Sequence, residues 1–330
     1  MLLRVRRARI QQGTAICGSV SLGFVNMRLQ WGYQIDTLAS VLAPRGRRLS
    51  GDRFESLCAG CGKVQTVNFD RQRKAGKSVS GARRLLPGLK VGEGFTRHPF
   101  DLQFGVRTSG LIAGRNLKSG HRHDRQSTAY YGVAPSVFQS MIVRWRRTKP
   151  VAPIDGFTFV DLGAGMGRAM LLASEYPFRQ VVGVELHPTL AGIAGKNAAR
   201  WRAEGRAKAL MCAVCKDAVE FELPDGPCVL FLFNPFGATV LRRLLKKLAA
   251  GLKKRAAEEG EVDILYVNNE HERVIERQAG LVRLFHGEVR RSRTDAIADH
   301  RILANQPDGE YATTNWEDCS IWRWSGIDSA

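Results

Sequence analysis

The stretch from Phe157 to Ala173, FTFVDLGAGMGRAMLLA, decides how the rest of the chain is read. Its apolar run up to Asp161 is strand text, and from about Gly167 the apolar positions fall at helical spacing. Between the two stand Gly163 and Gly165, with Gly167 at the junction. A turn this tight, with main-chain N–H groups brought against a ligand, leaves no space for Cβ atoms and favours positive φ. The pyrophosphate pattern G-x-G-x-x-G is incomplete, because the third residue after Gly165 is Arg168. A dinucleotide site is thereby set aside.

Outward from this turn, the text after Pro153 alternates strand and helix signals, the order of a parallel sheet covered on both faces. Strands are expected near 157–161, 180–185, 209–215, 228–233 and 262–268, with helices near 167–176, 188–203, 237–254 and 270–279. Two further strands, Leu281 to Val289 and Cys319 to Trp324, have no helix pattern between them and are expected to pair antiparallel at a sheet edge. Before the sheet, residues 95–152 read as a loop and helix segment. Its helix starts at Pro135 and Ser136, with Val137, Phe138, Met141, Ile142 and Trp145 at helical spacing.

Residues 1–94 show little periodicity and are expected to be a basic, mostly disordered region. Of the net +19, +13 falls within residues 1–100. Such a field attracts nucleic acid or an acidic surface without specifying either, so nucleic acid is a candidate partner through the head. No stretch approaches the roughly 20 apolar residues of a membrane span. Seven cysteines in 330 residues are unlike a disulfide framework, and the opening text lacks a compact apolar signal core, so a cytoplasmic location is expected. Oligomeric state is not legible.

Three acidic positions and one loop carry the chemistry. Glu185, about twenty residues after the glycine turn and at a strand end, suits a cis-diol, since a carboxylate accepts both hydroxyl protons. The other reading is a favourable charge at the start of the following helix. Asp217 begins a turn after the third strand, in CKDAVEF. The fourth strand ends in Asn234, Pro235, Phe236 and Gly237, at the sheet edge where open α/β folds place their sites. An Asn carbonyl and the next main-chain carbonyl can accept both protons of an amino group and aim its lone pair, and Phe236 can stack on a planar acceptor. Asn-Pro also initiates ordinary turns, which leaves Asn234 open as a loop former.

The D-x-G-x-G-x-G text resembles motif I of class I S-adenosylmethionine-dependent methyltransferases. With the Asp217 segment, PDGPCVLFLFNPFG and ILYVNNEHERV, the chain looks like an uncharacterised bacterial group of these enzymes, distantly linked to the DOT1-type histone-lysine methyltransferases. The similarity covers roughly residues 95 to 325. It implies a Rossmann-like, seven-stranded, mostly parallel sheet with helices on both faces and an antiparallel edge hairpin, within a methyltransferase domain of residues 153–330. It implies S-adenosylmethionine as cofactor, with Asp161, Gly163, Gly165 and Gly167 at its amino-acid moiety, Glu185 at the ribose and Asp217 at the adenine amino group. The segment before the sheet, FGVRTSGLIAGR and TAYYGVAPSVF, packs over the cofactor edge in that group, which puts Tyr130 or Tyr131 near the ligand. Asn234, Pro235 and Phe236 resemble motif IV, N-P-P-Y or N-P-P-F, of amino-methyltransferases acting on bases or protein amides. The second proline is missing here, so the methyl acceptor is not identified.

Other features compete with these. His121, His123 and Asp124 offer ligand types for a metal, but residues at i and i+2 converge poorly and no fourth ligand is evident, so no metal is expected. Cys58-x-x-Cys61 and Cys212-x-x-Cys215 have zinc-pair spacing but lie far apart, the second pair on a strand whose thiols point to opposite faces. The helix from Gly237 has an apolar side and a basic one, either solvated or polyanion-binding.

Overall fold

In the computed structural model, which describes residues 96–252, 261–305 and 314–324, the run after Phe157 forms β1 (Thr158–Leu162), with every residue buried. It lies in the interior of a seven-stranded sheet. The others are β2 (Gln180–Glu185), β3 (Leu210–Cys215), β4 (Cys228–Phe233), β5 (Val262–Val267), β6 (Leu281–Arg290) and β7 (Trp316–Trp324). Their order is β3-β2-β1-β4-β5-β7-β6. The first five strands are parallel, whereas β7 is antiparallel to β5 and to β6. This is the expected Rossmann-like, mostly parallel sheet with an antiparallel edge. The expectations for the basic head and for Cys58 and Cys61 lie outside the described residues.

Chain order reverses between β1 and β4, so the crossovers leave in opposite directions and open a crevice at their carboxyl ends. Helices α2 (Pro135–Arg147), α3 (Arg168–Ser174) and α4 (Pro188–Ala203) share a core with one face of the sheet, through Phe138, Met141, Trp145, Leu171 and Trp201. A short α1 (Pro99–Phe104) adds Phe100 to that core. On the other face α5 (Ala238–Leu252) buries Val240, Leu241, Leu244, Leu245 and Leu248, and α6 (Glu272–Glu276) buries Ile275. Because α2 packs in the same core as β1 and β4, the segment before Pro153 is built into the body of the fold.

One expectation fails. Between β6 and β7 lies α7 (Arg293–Ala304), where no helix was legible. Its buried positions are Asp295, Ala298, Asp299 and Ile302, so half of its inward face is carboxylate and the apolar stripe that signals a helix is missing. Those carboxylates are accommodated by partners distant in sequence: Ser136 N–H donates to Asp295 at 2.9 Å, and the Tyr131 hydroxyl donates to Asp299.

Candidate active site

The glycine turn joins β1 to α3 with φ of +80° at Gly163, +56° at Gly165 and +88° at Gly167. What crowds it is protein. A Cβ at Gly163 would lie 2.3 Å from Cβ of Pro235, and one at Gly165 2.2 Å from Cε2 of Tyr130. The N–H groups of Gly163 and Ala164 donate to the Val184 carbonyl at 2.8 and 3.0 Å, and that of Gly165 donates to Glu185 Oε2 at 2.8 Å. The N–H groups of Gly163, Ala164 and Gly165 are therefore spent within the protein.

Around it is a cleft at the carboxyl ends of β1, β2, β3 and β4. Asp161 lines it at 3% exposure. Burial, and then the charge of Glu185, push its carboxyl up to about 8, against the stabilising N–H of Met170 in the first turn of α3. Glu185 is 8% exposed and also raised by burial. Its Oε1 accepts from His187 N–H at 2.7 Å while Oε2 holds Gly165, and the main-chain N–H of Leu186 adds to them in favouring the carboxylate. Asp217, after β3, lines the same cleft and accepts from Val219 N–H at 3.0 Å.

The segment before the sheet covers this cleft. Residues Ile112 and Tyr130 form one bridge, and Ser127 and Phe236 another. Gly237 N–H donates to Gln126 O at 2.8 Å, and the Thr128 hydroxyl donates to the main-chain carbonyl of Asn234. Tyr130 lays its ring on Gly165 and donates its hydroxyl to Thr108 O at 2.7 Å. Tyr131 also lines the cleft, with its hydroxyl turned to Asp299. Arg168, the residue that broke the dinucleotide pattern, is buried and fastens this cover. It donates to the Thr108 hydroxyl at 2.7 Å and to the carbonyls of Gly132 and Thr108 at 3.0 and 3.1 Å.

Pro235 and Phe236 line the cleft. Asn234 sits at φ +39°, and both ends of its amide are engaged: Nδ2 donates to Glu270 at 2.9 Å and Oδ1 accepts from the Tyr266 hydroxyl at 3.3 Å. Burial pushes that hydroxyl up to about 12, so it keeps its proton for Asn234. An acceptor that reached this amide would have to use its remaining N–H or lone pair, or displace a partner.

Sequence reasoning missed Arg168, Tyr266, Glu270 and the partner of His123. Asp124 is consumed by its own loop, where it accepts from the N–H groups of Ser119 and Gly120 at 2.9 and 2.8 Å. Instead His121, His123 and Asp217 bring ligand atoms within 4.8 Å of one another. Nδ1 of His123 lies 2.8 Å from Asp217, and Arg243 Nη1 lies 2.9 Å from Nε2. A guanidinium only donates, so Nε2 accepts and the ring proton sits on Nδ1, the atom a cation would need.

No protein-family model matches the chain, and no curated protein matches it. Among solved structures the chain is similar to the 4+2 cyclase SpnF (15% identity over 58% of this chain and 82% of that one, TM-score 0.41). It is similar also to a geranyl diphosphate methyltransferase bound to SAM (13% identity, 57% and 85%, TM-score 0.36). A third likeness is to a ribosomal protein L11 methylase from Lactobacillus delbrueckii subsp. bulgaricus (15% identity, 56% and 77%, TM-score 0.33). Likeness at this level carries no argument about chemistry, which rests on the cleft. Among the described residues no helix is long and apolar enough to cross a membrane.

Proposed function

We propose that this chain is an S-adenosylmethionine-dependent methyltransferase that works in the cytoplasm. The observation that carries the reading is the charge preference of the cleft. The N–H groups of Gly163, Ala164 and Gly165 are spent within the protein, while Asp161, Glu185 and Asp217 line the cleft with acceptors. A ligand bearing an ammonium, a sulfonium and a cis-diol satisfies that set, and a dinucleotide does not. The cofactor supplies an electrophilic methyl group on sulfur.

The protein's part is placement. Asp161 and the carbonyls of the glycine turn would hold the amino-acid end, and Glu185 the ribose. Asp217 would accept from the adenine amino group. Tyr130, in van der Waals reach of Gly165, is the aromatic cover in preference to Tyr131, whose hydroxyl is spent on Asp299. The acceptor would enter over Pro235 and Phe236, on a loop whose shape Asn234 holds through Tyr266 and Glu270. A neutral planar nitrogen suits this loop and needs no base before attack. In-line positioning of such an acceptor can contribute about 7 to 11 kcal/mol.

The engaged amide of Asn234 favours a second reading, in which the fold retains the cofactor without turnover. Labelled S-adenosylmethionine incubated with fractionated lysate separates the two. Label entering RNA, DNA, protein or a small molecule supports the enzyme. Calorimetric binding without label transfer supports the module, and absence of binding by folded protein removes both.

A further inference from the structure

Away from the cleft, an open groove runs between α7 and the adjoining ends of β6 and β7. Arg290, Arg293, His300, Arg301, Asn315 and Trp316 line it. Arg293, Ile297 and Arg301 recur every four residues, so they form one stripe along α7, rising about 6 Å per step. Arg290 is the register partner of Trp316 across the β6–β7 ladder, which sets a guanidinium stem beside the indole.

Two properties of this groove stand apart from ordinary surface. Its arginines carry no ion pair among the described residues: no described carboxylate pairs with Arg290, Arg293 or Arg301, although neighbouring Arg291 is neutralised by Glu317 and Asp299. Its aromatic group is also presented, since Trp316 is 39% exposed in a protein whose Trp145, Trp201 and Trp322 are buried. A row of exposed cations with an accessible indole matches a phosphate chain carrying free π-faces. Duplex bases are already stacked and offer no face to Trp316. A membrane-seated helix would show a broad apolar face, whereas the exposed apolar groups here are Trp316 and Ile297.

We propose that this groove binds single-stranded nucleic acid, with one base stacked on Trp316 and phosphates held by Arg290, Arg293 and Arg301. It is independent of the methyl-transfer reading and would hold for the retained-cofactor reading as well.

The test uses the full chain and fluorescein-labelled twelve-residue oligouridylate and oligothymidylate, read by anisotropy across a salt series. Trp316→Ala is expected to weaken binding about 5- to 150-fold, as loss of one stacked base does. Trp316→Phe restores most of it and guards against misfolding, with thermal melts alongside. Arg293→Ala/Arg301→Ala is expected to lower the salt slope by about 1.4, from about 0.7 per single-strand phosphate contact. Equal losses for RNA and DNA, or a loss for RNA alone, support the site. An equal drop in slope for Arg242→Ala/Lys246→Ala on α5 means diffuse attraction and overturns it. Heparin binding that falls as far with Trp316→Ala, or variants that lose anionic vesicles while keeping oligonucleotide, overturns it too.

Discussion

Asp161 and Gly165 show what single residues do in this site. In the folded chain the Asp161 carboxyl titrates near 8 against an ordinary 3.8, so the folded form holds a proton that the unfolded form gives up. Its contribution to stability is present in full below about pH 4 and is lost as the pH rises to 8. A cationic ligand reverses that preference, because a positive charge favours the carboxylate. Affinity for S-adenosylmethionine is therefore expected to rise from pH 6 to 8 and level off, with proton release visible as a buffer-dependent heat in calorimetry. Asp161→Asn should bind weakly with no such release. Gly165→Ala places a Cβ against Tyr130 at a φ of +56°, and the left-handed backbone alone costs about 1 to 3 kcal/mol. Urea unfolding should show that loss, and displacement of the tyrosine ring into the cleft should lower cofactor affinity at least tenfold. The glycines and acids were legible because strand ends and positive-φ turns are written locally. The resemblance brought Tyr130 or Tyr131 near the ligand, but the contact of Tyr130 with Gly165 was not legible, since the tyrosine arrives from another segment.

Among elements, α7 is the instructive one. It starts on a Ser292 hydroxyl that accepts from Asp295 N–H at 3.1 Å, and Ser292→Ala is expected to cost about 1 kcal/mol in denaturant unfolding. Asp295 is held down to about 2; burial opposes this, but its bonds with His98 and Ser136 outweigh it. The folded chain thus releases this proton more readily than the unfolded chain, so the stability it supplies is present above about pH 4 and lost as pH falls towards 2. An acid melt of Asp295→Asn should show a shallower loss over that window. Helices α2 and α5 were legible, because their buried residues are apolar and repeat at 3.6. By the same criterion α7 was invisible: carboxylates replace part of its stripe, and carboxylates are read as solvent-facing unless their buried partners are known.

At the scale of the molecule, Arg168 decides whether the cover stays on the sheet. Its guanidinium binds main-chain carbonyls and a hydroxyl of the 108–133 segment, and lies 3.9 Å from Asp101. Arg168→Met leaves buried acceptors unmatched at about 1 to 3 kcal/mol for each unsatisfied group. Hydrogen exchange is expected to quicken across residues 105–133 while the β1 and β4 amides stay protected. A uniform increase across the sheet would show instead that the whole fold had been lowered. Reading the chain alone determined the strand-turn-helix unit, the order of the parallel strands along the sequence and the acids at their ends, because hydrophobic period and backbone conformation are local properties. Only the tertiary structure decided where the polar atoms spend their hydrogen bonds: Arg168 on a loop 60 residues earlier, Asn234 on Glu270, and His123 between Asp217 and an arginine 120 residues away. Those bonds join segments that meet after the core has packed, and no periodicity along the chain specifies a partner at that distance.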